Sequence, residues 1–269
     1  NWNISCNRWR MDSTIMGLFL KDINLKGKTA LVTGATKGLG RGSAIAIAQA
    51  GGDVIAVGRN QQELNSLEKI IKRLKVGYKS INCDVNNYNK IKLYISNLKK
   101  LDILVNNAGT NIPEPFLAVK KSSLETILDV NTKAVFNIAQ MCAKQIIKLK
   151  KKSGSIINIS SIFGLVAGQK GTVYSMTKFG VEGLTKGMAI DLAKYNIRVN
   201  SVCPNIVLTP RTKKYFADKN YNKYVMENTP LKKVVTVSDV ATSVVYLASD
   251  ASSMITGASI IIDGGWTSK

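Results

Sequence analysis

The residues of this 269-residue chain whose types and spacing suit chemistry centre on Tyr174. Tyr174-Ser175-Met176-Thr177-Lys178 sets a phenol and an ammonium four residues apart in a helical pattern, which puts both on one face. A phenol with a pKa of about 10 is a poor acid–base group at neutral pH unless a nearby positive charge stabilises its phenolate. Lys178 is placed to supply that charge. Tyrosine and lysine at this spacing are also common on solvated helices, so their neighbours decide the matter. Ser160-Ser161 follows an apolar run at Ser155–Ile159, and Asn106-Asn107-Ala108-Gly109 follows another at Asp102–Val105. If both runs are strands of one parallel sheet, these residues share the carboxyl edge where open α/β folds bind ligands. Histidine is absent, which removes imidazole bases, His-based triads and His-ligated metal sites.

A second constellation lies near the start of the regular part of the chain. The run Thr29–Thr33 leads into Thr33-Gly34-Ala35-Thr36-Lys37-Gly38-Leu39-Gly40 and then into an alanine- and isoleucine-rich stretch. Glycines in a strand-to-helix turn let the backbone approach a pyrophosphate held by the free N–H groups and positive dipole of the helix. The spacing, G-x-x-x-G-x-G, differs from the common G-x-G-x-x-G. Beyond it the second strand ends in Val57-Gly58-Arg59-Asn60, where an NAD site would place a carboxylate for the ribose 2′-hydroxyl. Lys37 and Arg59, with no acid at that strand end, favour a 2′-phosphate, and so NADP(H), with NAD(H) as the alternative.

The elements that must position these groups alternate. Strands are expected at Thr29–Thr33, Asp53–Val57, Ser80–Cys83, Asp102–Val105, Ser155–Ile159, Arg198–Val202 and Ser259–Ile262. Helices are expected over 43–50, 61–74, 124–148, 173–194 and 237–247. Strands apolar throughout and separated by helices predict one doubly wound α/β domain, a Rossmann parallel sheet with helices on both faces, over residues 25–269. Residues 1–24 lack apolar periodicity and are expected to form a loosely ordered tail.

Composition bounds the function. Hydrophobic residues make up 45 % and no apolar run has the ~18 residues of a membrane span, so a soluble chain is expected. Cys6, Cys83, Cys142 and Cys203 form no CxxC pair, and a cytoplasmic, reducing setting is the default. An organelle is the alternative if residues 1–24 belong to a transit peptide. The net charge is +21, from 38 basic and 17 acidic residues. Lysine, isoleucine and asparagine together make up 82 residues, a bias that AT-rich coding produces, and the lysines are spread along the chain. Nucleic-acid binding is therefore not expected, although the charge suits an anionic substrate.

Together these motifs resemble the short-chain dehydrogenase/reductase family across residues 25–266. The matches are Thr33–Gly40, Asp84, Asn106–Gly109, Asn131, Ser161 with Tyr174 thirteen residues later, and Lys178. The resemblance implies that Tyr174 protonates a carbonyl oxygen as hydride arrives, that Ser161 holds that oxygen, and that Lys178 lowers the tyrosine pKa and binds ribose hydroxyls. Asn131 would hold a water of a proton relay. Cofactor contacts implied by the family are Gly34, Thr36, Lys37, Gly38, Leu39, Gly40, Arg59, Asp84, Val85, Asn107, Ala108, Gly109, Tyr174, Lys178, Pro204, Asn205, Val207 and Thr209. One departure stands out: the family's usual Pro-Gly is Pro204-Asn205 here, and asparagine tolerates left-handed backbone well enough for the turn to survive.

Substrate is less determined. Residues 210–234 carry Arg211, Lys213, Lys214, Tyr215, Phe216, Lys219, Tyr221, Lys223 and Tyr224, where the family has a mobile lid. The chain resembles 3-oxoacyl-carrier-protein reductases, whose acidic carrier would suit a basic surface, and gluconate and 2-deoxygluconate dehydrogenases. A small-molecule or carrier-bound ketone or alcohol is thus expected, with the acyl thioester preferred. A cofactor-binding scaffold without turnover is the non-enzymatic alternative. The resemblance also implies a homotetramer.

Overall fold

A computed structural model describes residues 23–151, 153–210 and 212–268. The tail expected over 1–24, apart from its last two residues, and Arg211 lie outside them. Seven parallel strands form one sheet: β1 (Thr29–Thr33), β2 (Asp53–Gly58), β3 (Tyr78–Asn82), β4 (Ile103–Asn106), β5 (Gly154–Ile159), β6 (Ile197–Pro204) and β7 (Ser259–Ile262). Their order is β3-β2-β1-β4-β5-β6-β7, so the chain reverses direction across the sheet between β1 and β4. This is the doubly wound Rossmann arrangement.

The period of two in a strand explains the apolar runs. In β1, Ala30 and Val32 face one layer and Leu31 the other; in β2, Val54 and Ala56 oppose Ile55 and Val57. The first layer contains α1 (Gly38–Gln49), α2 (Gln61–Arg73) and α9 (Val237–Ala248), through Ile47, Leu64 and Val244 among others. The second contains α3 (Tyr88–Ser96), α5 (Ala134–Lys148) and α6 (Thr172–Ala193), through Ile91, Cys142 and Ala189. Both layers exclude water from the sheet, so site residues on its carboxyl edge have a fixed base.

Three elements depart from the pattern reading. Helix α3 was not expected: its asparagine- and lysine-rich sequence buries only Ile91 and Ile95, one turn apart, behind an Asn87 side chain that accepts from Lys90 N at 3.2 Å. Helix α1 starts at Gly38, five residues earlier than Ser43, because Gly38, Gly40 and Gly42 depress propensity but fit a crowded seat. A Cβ on Gly42 would run into Val237, and one on Gly40 into Asn107 and the Gly34 carbonyl. The long helix expected over 124–148 is present as α4 (Lys121–Leu128) and α5, joined by a π turn at Asp129–Lys133. Two short helices, α7 (Lys213–Phe216) and α8 (Lys219–Asn228), follow β6. Among the described residues no helix is long and apolar enough to cross a membrane.

Candidate active site

The carboxyl ends of β4 and β5 carry the first pieces. Asn106 and Asn158 are paired in register, and their buried amides join at 3.1 Å before Asn158 reaches Thr185 at 2.9 Å. This polar thread ties β4, β5 and α6 in one orientation. Past β5, Ser161 is extended and caps a short 3-10 turn, its Oγ accepting from Phe163 N at 3.2 Å. The Phe163 ring meets the Tyr174 ring edge-on at 6.1 Å, so the serine loop and the tyrosine seat share a wall.

Lys178 is buried on α6 and donates from Nζ to the Ile159 carbonyl at 2.8 Å, at the last residue of β5. Its Nζ also lies 5.6 Å from the centre of the Tyr174 ring. Burial pulls the ammonium down to about 8, against the partial support of Cys203 and Glu182. Asn131 sits inside the π turn, a feature that re-aims one residue of a helix. Fully buried, it holds the Thr110 backbone from both sides, accepting from N at 2.8 Å and donating to O at 2.8 Å. It also donates to Thr177 Oγ1 at 3.2 Å, one residue before Lys178. A Cβ placed on Gly109 would lie 3.5 Å from Asn131 Oδ1 and 3.9 Å from Lys178 Nζ. The missing side chain of Gly109 therefore leaves a small space into which an amide and an ammonium both reach.

The glycine loop lies beside these groups. Gly34 and Gly38 have φ of +64° and +53°, which side-chain-bearing residues seldom adopt. Asn107 closes the loop from the end of β4: its Nδ2 donates to Thr33 O at 2.9 Å and Gly34 O at 3.3 Å. The Thr33 hydroxyl in turn accepts from Asn107 N and Ala108 N at 2.9 and 3.0 Å. No side chain caps α1 at Lys37, and its first turn holds no acid, so its N–H groups keep their capacity for an anion. A Cβ on Gly38 would touch the Thr209 methyl at 3.6 Å, which brings Thr209 to the loop. Thr36 packs its methyl against Gly58 at the end of β2, and Leu39 packs against the first core layer.

The cations expected at the ribose end are present, but not unopposed. Arg59 meets Asp84 at 3.3 Å and Lys37 meets Glu63 at 3.6 Å. Arg41 approaches Glu63 at 3.7 Å and donates to the Thr36 carbonyl at 3.4 Å. The absence of an acid at the end of β2 hid two carboxylates that arrive from α2 and from the loop after β3. Val85, next to Asp84, is buried in the second core layer.

At the end of β6, Pro204 pairs with Ile262. Asn205 keeps its backbone outside the left-handed region, unlike the turn expected for it. It donates from N to Ile262 O at 2.9 Å, and its Oδ1 accepts from Ile206 N at 2.8 Å. The short polar side chain satisfies the next backbone N–H locally. Val207 bridges to Val235, and Thr212 donates to its carbonyl at 2.5 Å. Among the aromatics of 212–224, Tyr221 contacts both Tyr215 and Phe216, Lys214 lies over the Tyr215 ring, and Tyr224 meets Trp266 at 5.7 Å.

Pattern reading missed Glu182 and Thr177. Tyr174, Lys178 and Glu182 recur every four residues on one helix, and that stripe was the available signal for the acid.

A family model described as enoyl-(acyl carrier protein) reductase matches residues 34–267, and the chain belongs to the short-chain dehydrogenase/reductase family. It is an oxidoreductase of that family. It is 36 % identical over 245 residues to L-xylulose reductase of Mus musculus, covering 91 % of this chain and 98 % of the relative. It is 35 % identical over 247 residues to a 3-oxoacyl-[acyl-carrier-protein] reductase of Thermotoga maritima, covering 90 % and 99 %. The crystal structure of a gluconate 5-dehydrogenase from Burkholderia cenocepacia in complex with NADP and tartrate superposes with a TM-score of 0.88 at 30 % identity, covering 93 % of this chain and 99 % of that one.

Proposed function

We propose that this chain interconverts a ketone and a secondary alcohol with NADP(H), and that Asn131, Ser161, Tyr174 and Lys178 do the chemistry. The observation that carries the reading is the meeting of Lys178 Nζ, the Tyr174 ring and the Asn131 amide at the carboxyl edge, beside an uncapped helix and a loop whose Gly34 and Gly40 have no room for side chains. The loop and α1 fit a pyrophosphate, and the exposed cations Lys37 and Arg59 fit a 2′-phosphate once they leave their part-exposed acidic partners, single contacts that cost little to break. A bound nicotinamide supplies the hydride in reduction and accepts it in oxidation. The Ser161 hydroxyl donates to the carbonyl oxygen, and the Tyr174 hydroxyl gives that oxygen its proton. Lys178 makes the phenol acidic enough to do so near neutral pH. A water in the space beside Gly109, bonded to Asn131 and Lys178, returns the proton. A donor pair aimed at a developing alkoxide is where stabilisation is largest.

For the substrate we favour a 3-oxoacyl thioester. The net charge of +21 and the cations Lys213, Lys214, Lys219 and Lys223 on the proposed lid over 210–234 support an anionic or carrier-bound partner. A polyhydroxy ketone is the second reading, supported by the likeness to L-xylulose reductase and to the gluconate 5-dehydrogenase. The buried free thiols Cys83, Cys142 and Cys203 suit a reducing, cytosolic setting. A homotetramer is supported by the exposed apolar side chains Phe136 on α5 and Phe179 and Ile190 on α6.

NADPH oxidation with an acetoacetyl thioester, beside L-xylulose and 5-ketogluconate, tests the reading. Tyr174→Phe is expected to bind NADPH and to lose roughly 10²–10⁴-fold in turnover. Carbonyl reduction undiminished in that variant rejects the mechanism.

A further inference from the structure

Glu182 is a buried carboxyl that the chemistry above does not use. It lies one helical turn beyond Lys178 on α6, and its oxygens receive three donors. The hydroxyls of Ser201, at 2.8 Å, and Ser259 donate to Oε2, and the Cys203 thiol donates to Oε1 at 3.4 Å. Every neighbour so placed is a donor, the surroundings that suit an anion. The carboxylate also has close packing around it. A Cβ on Gly164 would lie 3.0 Å from Glu182 Cγ and 3.0 Å from the Lys178 carbonyl, so the serine loop, Lys178 and Glu182 are pressed into one block.

Lys178 needs such a partner. Its ammonium is buried, and its hydrogen bond goes to the neutral Ile159 carbonyl. The titratable groups around it are Tyr174 and Glu182 on its own helix and Cys203 on β6; the π turn presents only the uncharged Asn131. Burial, followed by the charge of Glu182, pushes the Cys203 thiol up to about 12, so it is neutral at working pH. The three donors on its oxygens make Glu182 the group here whose surroundings suit a negative charge.

We propose that Glu182 is a positioning residue: a buried counter-charge, fixed by Ser201, Ser259 and Cys203, that keeps Lys178 an ammonium beneath Tyr174. The proposal rests on the reaction assigned above, in which that ammonium makes the phenol acidic. It also gives the Ser201–Ser259 hydroxyl pair a purpose beyond joining α6 to β6 and β7, because these donors hold the charge in place.

Glu182→Gln keeps the shape and much of the hydrogen bonding while removing the charge. Lysine labelled with ¹³C at Cε in the apoprotein, with the Lys178 signal assigned by its loss in Lys178→Met, reads the ammonium directly. The Lys178 midpoint is expected near 8 in the wild type and about one unit lower in E182Q, the low end of the effect of a close opposite charge. The alkaline limb of kcat/KM should move down with it, giving about a fivefold deficit at pH 8 that shrinks toward pH 6. If E182Q does not fold, Glu182→Asp, which draws the charge back by one methylene, should lower the midpoint by a smaller amount. A midpoint that stays put in the folded variant overturns the proposal and leaves Glu182 a structural clamp. A shifted midpoint in a protein that reduces no ketone upholds the pairing and rejects the assigned reaction instead.

Discussion

Holding a lysine ammonium inside the fold has a thermodynamic cost, and its size follows from the site. Burial lowers Lys178 from 10.5 to about 8, so between those values the unfolded chain binds a proton that the folded one does not. Stability therefore rises with pH through that window, at about 1.4 kcal/mol per pH unit where the imbalance is complete. From pH 7 to pH 9.5 the relief amounts to about 2 kcal/mol. The assay is urea unfolding of two proteins, Tyr174→Phe and Tyr174→Phe/Lys178→Met, at pH 7, 8, 9 and 9.5. The shared phenylalanine removes the tyrosine's own titration, and other groups cancel in the difference. The single variant should gain about 2 kcal/mol on the double variant across this range. Lys178→Met also strands the Ile159 carbonyl, which offsets the curves but does not tilt them. A difference that is flat in pH would show that the ammonium is not penalised by burial, and the reasoning about both Lys178 and Glu182 would fail. A difference falling with pH would give the charge the opposite sign of effect.

The remaining predictions concern cofactor and assembly. Arg59→Ala should weaken NADPH binding about tenfold or more, as loss of a charge-assisted contact to phosphate does, while NADH affinity stays as it was. Fluorescence titration reads both, and an equal loss for the two cofactors would refute a role at the 2′-phosphate. Light scattering at micromolar concentration should report four chains; a monomer would reject the assembly inferred from Phe136, Phe179 and Ile190.

Most of the sheet was legible because parallel strands buried on both faces advertise themselves. Thr29–Thr33 and Ser259–Ile262 have the bounds that their apolar runs predict, while β2, β5 and β6 extend them by only a residue or two at their ends. Helix α3 was not legible, since Ile91 and Ile95 are its only buried positions and two residues make too weak a periodic signal. The start of α1 was obscured for a related reason. Its glycines are chosen for what they touch, Asn107, Gly34 and Val237, and such contacts lie far away in sequence.

The site divides along the same line. Tyr174 and Lys178 share a helix face, and Ser161 and Asn107 each follow an apolar strand, so local spacing reports them. What spacing does not report is the partner of each cation at the ribose end, nor the burial that gives a charge its cost. Arg59 and Lys37 read as unopposed cations until the fold brings in Asp84 from beyond β3 and Glu63 from α2. Lys178 reads from spacing as the charge beside Tyr174, but its burial, and with it the reason to look for an acid nearby, shows only in the fold. In both cases the residue types are local information and the electrostatics are not. The exposed pairs at the ribose end are cheap to separate, which suits cations that must turn to a phosphate. Lys178 and Glu182 are instead both buried and fixed by their own hydrogen bonds, Lys178 to Ile159 O and Glu182 to Ser201, Ser259 and Cys203, which suits charges that must be in place before any substrate arrives.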